Sequence, residues 1–178
     1  HPDKTHLVWG CADVYAQVIS EIQNDMPENC VTLYIQPDLR DKLESKLSFY
    51  EMCDKYGIPY PKTFVVRPSE WEQGVAKADL TEEKIGFKYP IIVKPSMSST
   101  YWEHPFDHMK KVYTAQNPAE AAHILGLIFG AGYPDEVLLQ DMVVGEDCNM
   151  NVLTADCDRN CKVKLSCFGR EGVEEHTP

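Results

Sequence analysis

An α+β fold is predicted for this chain of 178 residues by three features of its sequence. After Gly57 the segments run strand, helix, strand, loop, strand, helix, strand and hairpin, without the strict strand–helix alternation of a parallel sheet. The two helices in that series each carry one apolar stripe, so a small sheet with both helices on one face is the natural packing, and the pattern alone leaves open which strands pair. Residues 1–37 follow a different order, strand, helix, strand, which reads as the remnant of a preceding α/β domain.

The elements follow in order. His6 to Gly10 is an apolar start, Asp13 to Asn24 has helical periodicity, and Val31 to Ile35 is a strand that Pro37 closes. Asp38 to Gly57 turns helical, with Gly57 as its stop and Pro59 just beyond. Thr63 to Val66 is β-branched and aromatic, and Leu80 to Gly86 is a short helix capped by Asp79 or Thr81. Tyr89 to Val93 is apolar on both faces, which predicts a buried strand; polar loop residues then run to Lys110, and Lys111 to Gln116 is strand again. Asn117 as N-cap, Pro118 at the first helical position and Glu120 as the reciprocal member of a capping box start a helix there. Its stripe is Ala121, Leu125, Ile128 and Phe129, and Gly130 and Gly132 end it. Val137 to Val144, Met150 to Ala155 and Lys162 to Phe168 close the chain as strands.

Composition excludes several classes. With 43% hydrophobic and 25% charged residues the chain sits at the globular average, and a net charge of −11 repels a phosphate polyanion, so no nucleic-acid partner is expected. No apolar run approaches the roughly 18 residues that span a bilayer, so no membrane partner is expected. Seven cysteines are an odd number, several inside apolar stretches, which argues against a disulfide framework and for a reducing cytoplasm. Cys157, Cys161, Cys167 and His176 match no common zinc spacing, and Pro105 between His104 and His108 spoils a helical metal pair, so no metal site is expected in the chain. Position 1 is His, with no leader after it, so the chain reads as a segment of something longer. Phosphate-loop, dinucleotide-fold and nucleophile-elbow motifs are all absent from the sequence.

Three places resist a purely structural reading. Lys94 ends the buried run, where a charge needs an anion or an exit to solvent, and Ser96 to Thr100 beside it supply hydroxyls and backbone amides that suit a phosphate. Lys46 projects into the apolar arc of Leu39, Leu43, Tyr50 and Cys53, or else Ser45 caps a new helix and places the ammonium at its entrance. Gln140, Asp141 and Asp147 interrupt or follow an apolar strand, where polar groups need partners; a bare hairpin would also account for them.

In this order, these places resemble the ATP-grasp superfamily over roughly residues 38–178. Lys46 with Gly57-Ile58-Pro59 downstream looks like the family's first nucleotide lysine, Tyr89 to Pro95 like the strand bearing the second, and Gln140 to Asp147 like the adenine and ribose hinge. Lys94 to Trp102 with His104-Pro105-Phe106, Lys110 to Tyr113, and Glu174 to Pro178 are most similar to the carboxylate-amine ligase branch that includes D-aspartate ligases. Carbamoyl-phosphate synthase large subunits are more distant relatives.

The resemblance implies residues 1–37 as the end of a pre-ATP-grasp domain and 38–178 as the N-terminal and lid part of the ATP-grasp domain. It implies ATP and Mg2+ as cofactors, and a small carboxylate and an amine as substrates. It implies that the carboxylate is activated as an acyl phosphate which the amine attacks. Lys46 and Lys94 would contact phosphates, Ser98 and Ser99 would lie in the closing loop, and Gln140, Asp141 and Val143 would read adenine while Asp147 binds ribose. Two departures stand out: the closing loop lacks glycine, and Gln140 stands where many relatives have Glu. The magnesium ligands and catalytic groups are expected outside this chain, so the segment by itself is expected to be inactive. Two other outcomes remain open, a different ATP-grasp activity of carbamoyl-phosphate synthase or biotin carboxylase type, or a non-catalytic α+β interaction module.

Overall fold

A computed structural model of the protein describes residues 1–72, 80–158 and 160–170. It is α+β, and two compact units divide at Asp141/Met142.

The first unit opens with β1 (His6–Val8) and β2 (Cys30–Thr32), paired in parallel with His6 opposite Cys30. Parallel neighbours need a crossover, and α1 (Asp13–Ile22) supplies it. The strand expected to reach Ile35 stops at Thr32. Next comes α2 (Pro37–Glu44), with Pro at its start, where a missing N–H costs nothing. Arg40 on α2 is buried and ties it to α1, donating to Gln17 O at 2.9 Å and pairing with Glu21 at 3.3 Å.

The helix expected from Asp38 to Gly57 is broken in two at Ser45. That residue leaves the helical region (φ −69°, ψ 117°), and its Oγ accepts from Ser48 N at 3.4 Å, so it ends α2 and caps α3 (Lys46–Tyr56). Of the two geometries open to Lys46, the structure adopts the helix entrance. Gly57, at φ +67°, ends α3 in the left-handed region that residues with a Cβ disfavour.

Strands β3 (Thr63–Val66), β4 (Ile91–Pro95), β5 (Tyr113–Ala115) and β6 (Val137–Asp141) form an antiparallel sheet in the order β3-β6-β4-β5. Side chains alternate across it. Val66, Ile91, Val93, Ala115, Val137 and Leu139 enter the core. Against them pack Trp71 of α4 (Pro68–Glu72), Ile85 of α5 (Glu82–Ile85), Tyr101 of α6 (Ser98–Trp102), and Ala121, Ile124, Leu125 and Ile128 of α7 (Pro118–Gly130). The segment Tyr89 to Val93, expected to be buried on both faces, is buried on one only. Ile91, Val93 and Pro95 are inside, while Ile92 and Lys94 are half-buried on the other face. Register places Gln140 between Thr63 and Ile92, and Lys94 opposite Leu138, so Thr63, Gln140 and Lys94 share that second face.

Helix α6 lies where a polar loop is expected. Ser98, Ser99 and Thr100 have modest helix propensity, and the turn is held from outside: Tyr101 is fully buried, with its hydroxyl bonded to Lys110 O at 2.9 Å and to Tyr113 Oη at 3.1 Å. Of the two caps considered for α5, Thr81 Oγ1 accepts from Lys84 N; Asp79 lies outside the described residues. On α7, Asn117 Oδ1 accepts from Glu120 N at 3.0 Å as expected, but the Glu120 carboxylate turns back one residue further, accepting from Gln116 N at 2.9 Å.

The second unit is a 3-10 turn (Asp147–Asn149) and an antiparallel hairpin, β7 (Asn151–Cys157) with β8 (Val163–Arg170). Asp158 secures the hairpin end, its Oδ1 accepting from the N–H groups of Asn160 and Lys162.

Because Asn117 satisfies an N–H at the start of the helix that closes the core, Asn117→Ala is expected to lower stability by about 1 kcal/mol without removing a site contact. Urea unfolding checks this, and an unchanged midpoint would contradict it.

Candidate functional site

The site forms where α3 meets the second face of the sheet. Lys94 leaves β4 there, and its ammonium donates to Gln140 Oε1 at 2.8 Å and to Tyr50 Oη at 3.1 Å. The Gln140 amide donates in turn to Tyr50 Oη at 2.8 Å and to Thr63 Oγ1 at 2.9 Å. Tyr50 is braced by its ring, stacked on Tyr60 with centroids 4.5 Å apart. Neither acceptor of the Lys94 ammonium is charged.

Lys46, at the first position of α3, is held similarly. Its Nζ lies 3.2 Å from Ser98 Oγ and 3.5 Å from Ser96 O, and its own N–H also donates to Ser96 O at 3.3 Å. The segment it meets is fixed from behind. Ser96 N donates to Glu136 O at 2.9 Å, and Tyr133 Oη accepts from Met97 N while donating to Met97 O. Burial pushes the Lys46 ammonium below its usual pKa of 10.5, and the nearby positive charges of Lys94 and Lys111 push it further the same way. Among the described residues neither Lys46 nor Lys94 has an ion pair. Two like charges brought together among neutral acceptors leave a positive field that an anion would relieve.

Beside Ser98 opens a cleft of about 410 Å³ bordered by Gln17, Glu44, Ser99, Trp102 and Lys111. Ser99 is exposed there. The structure thus joins Lys46, Lys94, Ser98 and Gln140 in one place and sets Ser99 at its rim. Asp141 ends β6, its N–H donating to Lys62 O at 2.9 Å. Val143 and Asp147 belong to the second unit. Val143 is 78% exposed, and Asp147 opens the 3-10 turn with its side chain outside what the structure describes.

Tyr50, Tyr60 and Thr63 were not singled out by sequence reasoning. The signal for Tyr50 was its place one helical turn after Lys46, on the same face of α3; for Thr63 it was a hydroxyl at the start of an otherwise apolar strand.

Among the described residues no three His, Cys, Asp or Glu side chains stand close enough to share a metal ion. Nor do Cys157, Cys161 and Cys167 cluster for zinc, and His176 lies outside the described residues. No helix among the described residues is long and apolar enough to cross a membrane.

No family model matches the chain. It is 37% identical over 175 residues to a D-aspartate ligase of Enterococcus faecium (strain Aus0004), an alignment that covers 98% of this chain and 40% of the relative. The chain thus spans about two fifths of the length of the curated relative it matches. Among solved structures, a D-alanyl-alanine synthetase A from Vibrio cholerae aligns at a TM-score of 0.62 with 16% identity, over 96% of this chain and 46% of that one. A D-alanine-D-alanine ligase from Helicobacter pylori aligns at 0.57 with 20% identity, over 92% and 44%.

The depressed pKa of Lys46 has a measurable consequence for stability. The unfolded chain keeps this proton to higher pH than the folded chain, so stability rises with pH between the folded pKa and 10.5. Wild type is expected to gain stability over Lys46→Met as pH climbs through that window. Urea midpoints collected along a pH series check it, and a constant difference between the two proteins would contradict it.

Proposed function

We propose that this chain belongs to the ATP-grasp superfamily and forms the ATP-binding portion of a carboxylate-amine ligase. The full protein would activate a small carboxylate as an acyl phosphate, which an amine then attacks. The observation that carries this is the meeting of Lys46 and Lys94 at one site with hydrogen bonds only to neutral groups. A lysine serving only structure at such a place is normally paired with a carboxylate.

In this reading Lys46 and Lys94 bind the triphosphate, and their fixed ammonium groups stabilise charge on the transferred phosphoryl group without reorganising. Ser98 and Ser99 add hydroxyl donors at the start of α6, and the cleft beside them, with both Lys111 and Glu44 on its border, has room for a small substrate. The backbone of Asp141 and Val143 would read the adenine edge and Asp147 would bind ribose hydroxyls. Residues 1–37 would end a preceding α/β domain, and 38–178 would form the N-terminal and lid part of the ATP-grasp domain. ATP-grasp ligases generally work with magnesium, whose chemistry is charge neutralisation on the phosphates. Use of ATP and seven free cysteines both accord with the cytoplasm.

Titration calorimetry with ATP tests the proposal directly. Lys94→Ala is expected to weaken binding more than Lys162→Ala, because Lys162 lies in the exposed hairpin of the second unit. Equal affinities for the two variants would overturn it.

A further inference from the structure

The segment that meets Lys46 is gripped from the core by one side chain. Pairing between β4 and β6 ends at Pro95 opposite Val137, and one more rung follows it, Ser96 N donating to Glu136 O at 2.9 Å. Met97 then turns away from the sheet into α6, where no strand lies beside its backbone to supply partners. The Tyr133 hydroxyl takes over. It accepts from Met97 N at 3.0 Å and donates to Met97 O at 3.1 Å, so a single oxygen holds both backbone groups of one residue. Tyr133 is 2% exposed, and burial pushes its hydroxyl above the usual tyrosine value of 10.0, so it keeps the proton it donates. Its ring stands edge-on to that of Tyr101, with centroids 5.5 Å apart.

Met97 is flanked by the two residues that Lys46 touches. Among the described residues the Lys46 ammonium has Ser96 O at 3.5 Å and Ser98 Oγ at 3.2 Å as its hydrogen-bond acceptors, with no ion pair to fix it otherwise. Its position therefore follows theirs. We propose that Tyr133 is a positioning residue, which by gripping both backbone groups of Met97 sets Ser96 O and Ser98 Oγ and through them aims the Lys46 ammonium at a polyphosphate. Tyr133 belongs to the hydrophobic core behind the segment and acts without touching the anion. The assignment rests on the nucleotide-binding reading above.

The test titrates ATP and inorganic tripolyphosphate into wild type and two variants of the chain. Tyr133→Phe keeps the ring contact and removes the hydroxyl, whereas Tyr89→Phe removes a hydroxyl that donates to Leu80 O at 2.8 Å near the opposite end of β4. Tyr133→Phe is expected to bind both anions about fivefold more weakly, the scale of one lost hydrogen bond, and Tyr89→Phe to bind them as wild type does. A second readout, which a loosened fold alone would not move, is the Lys46 titration followed by NMR of lysine-labelled chain, its resonance assigned by loss in Lys46→Met. Burial is the largest cause of the depressed Lys46 pKa, ahead of the charges on Lys94 and Lys111, so releasing its acceptors to water in Tyr133→Phe is expected to raise that pKa toward 10.5. Tyr89→Phe should leave it in place. Unchanged affinity in Tyr133→Phe, an equal loss in Tyr89→Phe, or a Lys46 pKa that Tyr133→Phe does not move would each overturn the assignment. If Tyr133→Phe shows no urea transition, hydrogen exchange of wild type decides. Tripolyphosphate is then expected to slow exchange of Met97 N–H several-fold, and exchange indifferent to it would overturn the assignment. Failure of wild type to bind either anion would instead overturn the nucleotide-binding reading itself, and this assignment with it.

Discussion

Two ammonium groups sharing one face of a small sheet are an electrostatic liability. Burial alone disfavours the charge on Lys46, and Lys94 and Lys111 add repulsion. The protein holds both groups with carbonyl, amide and hydroxyl oxygens, from Ser96, Ser98, Gln140 and Tyr50. Such acceptors fix position and leave charge uncancelled, the property an anion site needs and a structural ion pair lacks.

Everything else in the first unit serves to bring those groups together from distant parts of the chain. The period-two alternation of β4 sends Val93 to the core and Lys94 to the opposite face, and the antiparallel register of β6 puts Gln140 on that same face. The break at Ser45 does the rest, because a helix starting at Lys46 carries both that lysine and Tyr50 to the sheet. The opposite, core face of the sheet is closed by α7 and Tyr101.

Features governed by local chemistry were legible in the sequence. The Asn117 cap, the Gly57 stop and the apolar pattern of β3 each depend on neighbours in sequence, and the structure has them. Helix α6 was not legible, because Ser98-Ser99-Thr100 has little intrinsic helicity and owes its fold to Tyr101 reaching Lys110 and Tyr113. The half-buried side of Tyr89 to Val93 was missed for a related reason. Ile92 is as apolar as the core residues beside it, and only the lysine two positions on shows that this face is a site. The lysines themselves stood out because charge in an apolar run is costly wherever it occurs. The clamp of Tyr50, Thr63 and Gln140 behind Lys94 depends on pairings across up to 90 positions of sequence, which composition and periodicity do not encode.

The acidic balance of the chain and the proposed affinity for ATP are compatible once distance is considered. A net charge of −11 is spread over the whole sequence, and beyond roughly 8 Å exposed charges are screened at physiological salt. Partly buried charges at contact distance are screened far less, so two lysines held by neutral groups can dominate the potential that a phosphate meets on arrival. Selectivity also follows. An extended nucleic acid would meet the average acidic surface along its length, whereas a compact triphosphate meets only the local field. That Lys46 and Lys94 have no ion pair among the described residues, in a chain with 28 Asp and Glu against 17 Lys and Arg, is therefore the feature that lets an acidic protein carry an anion site.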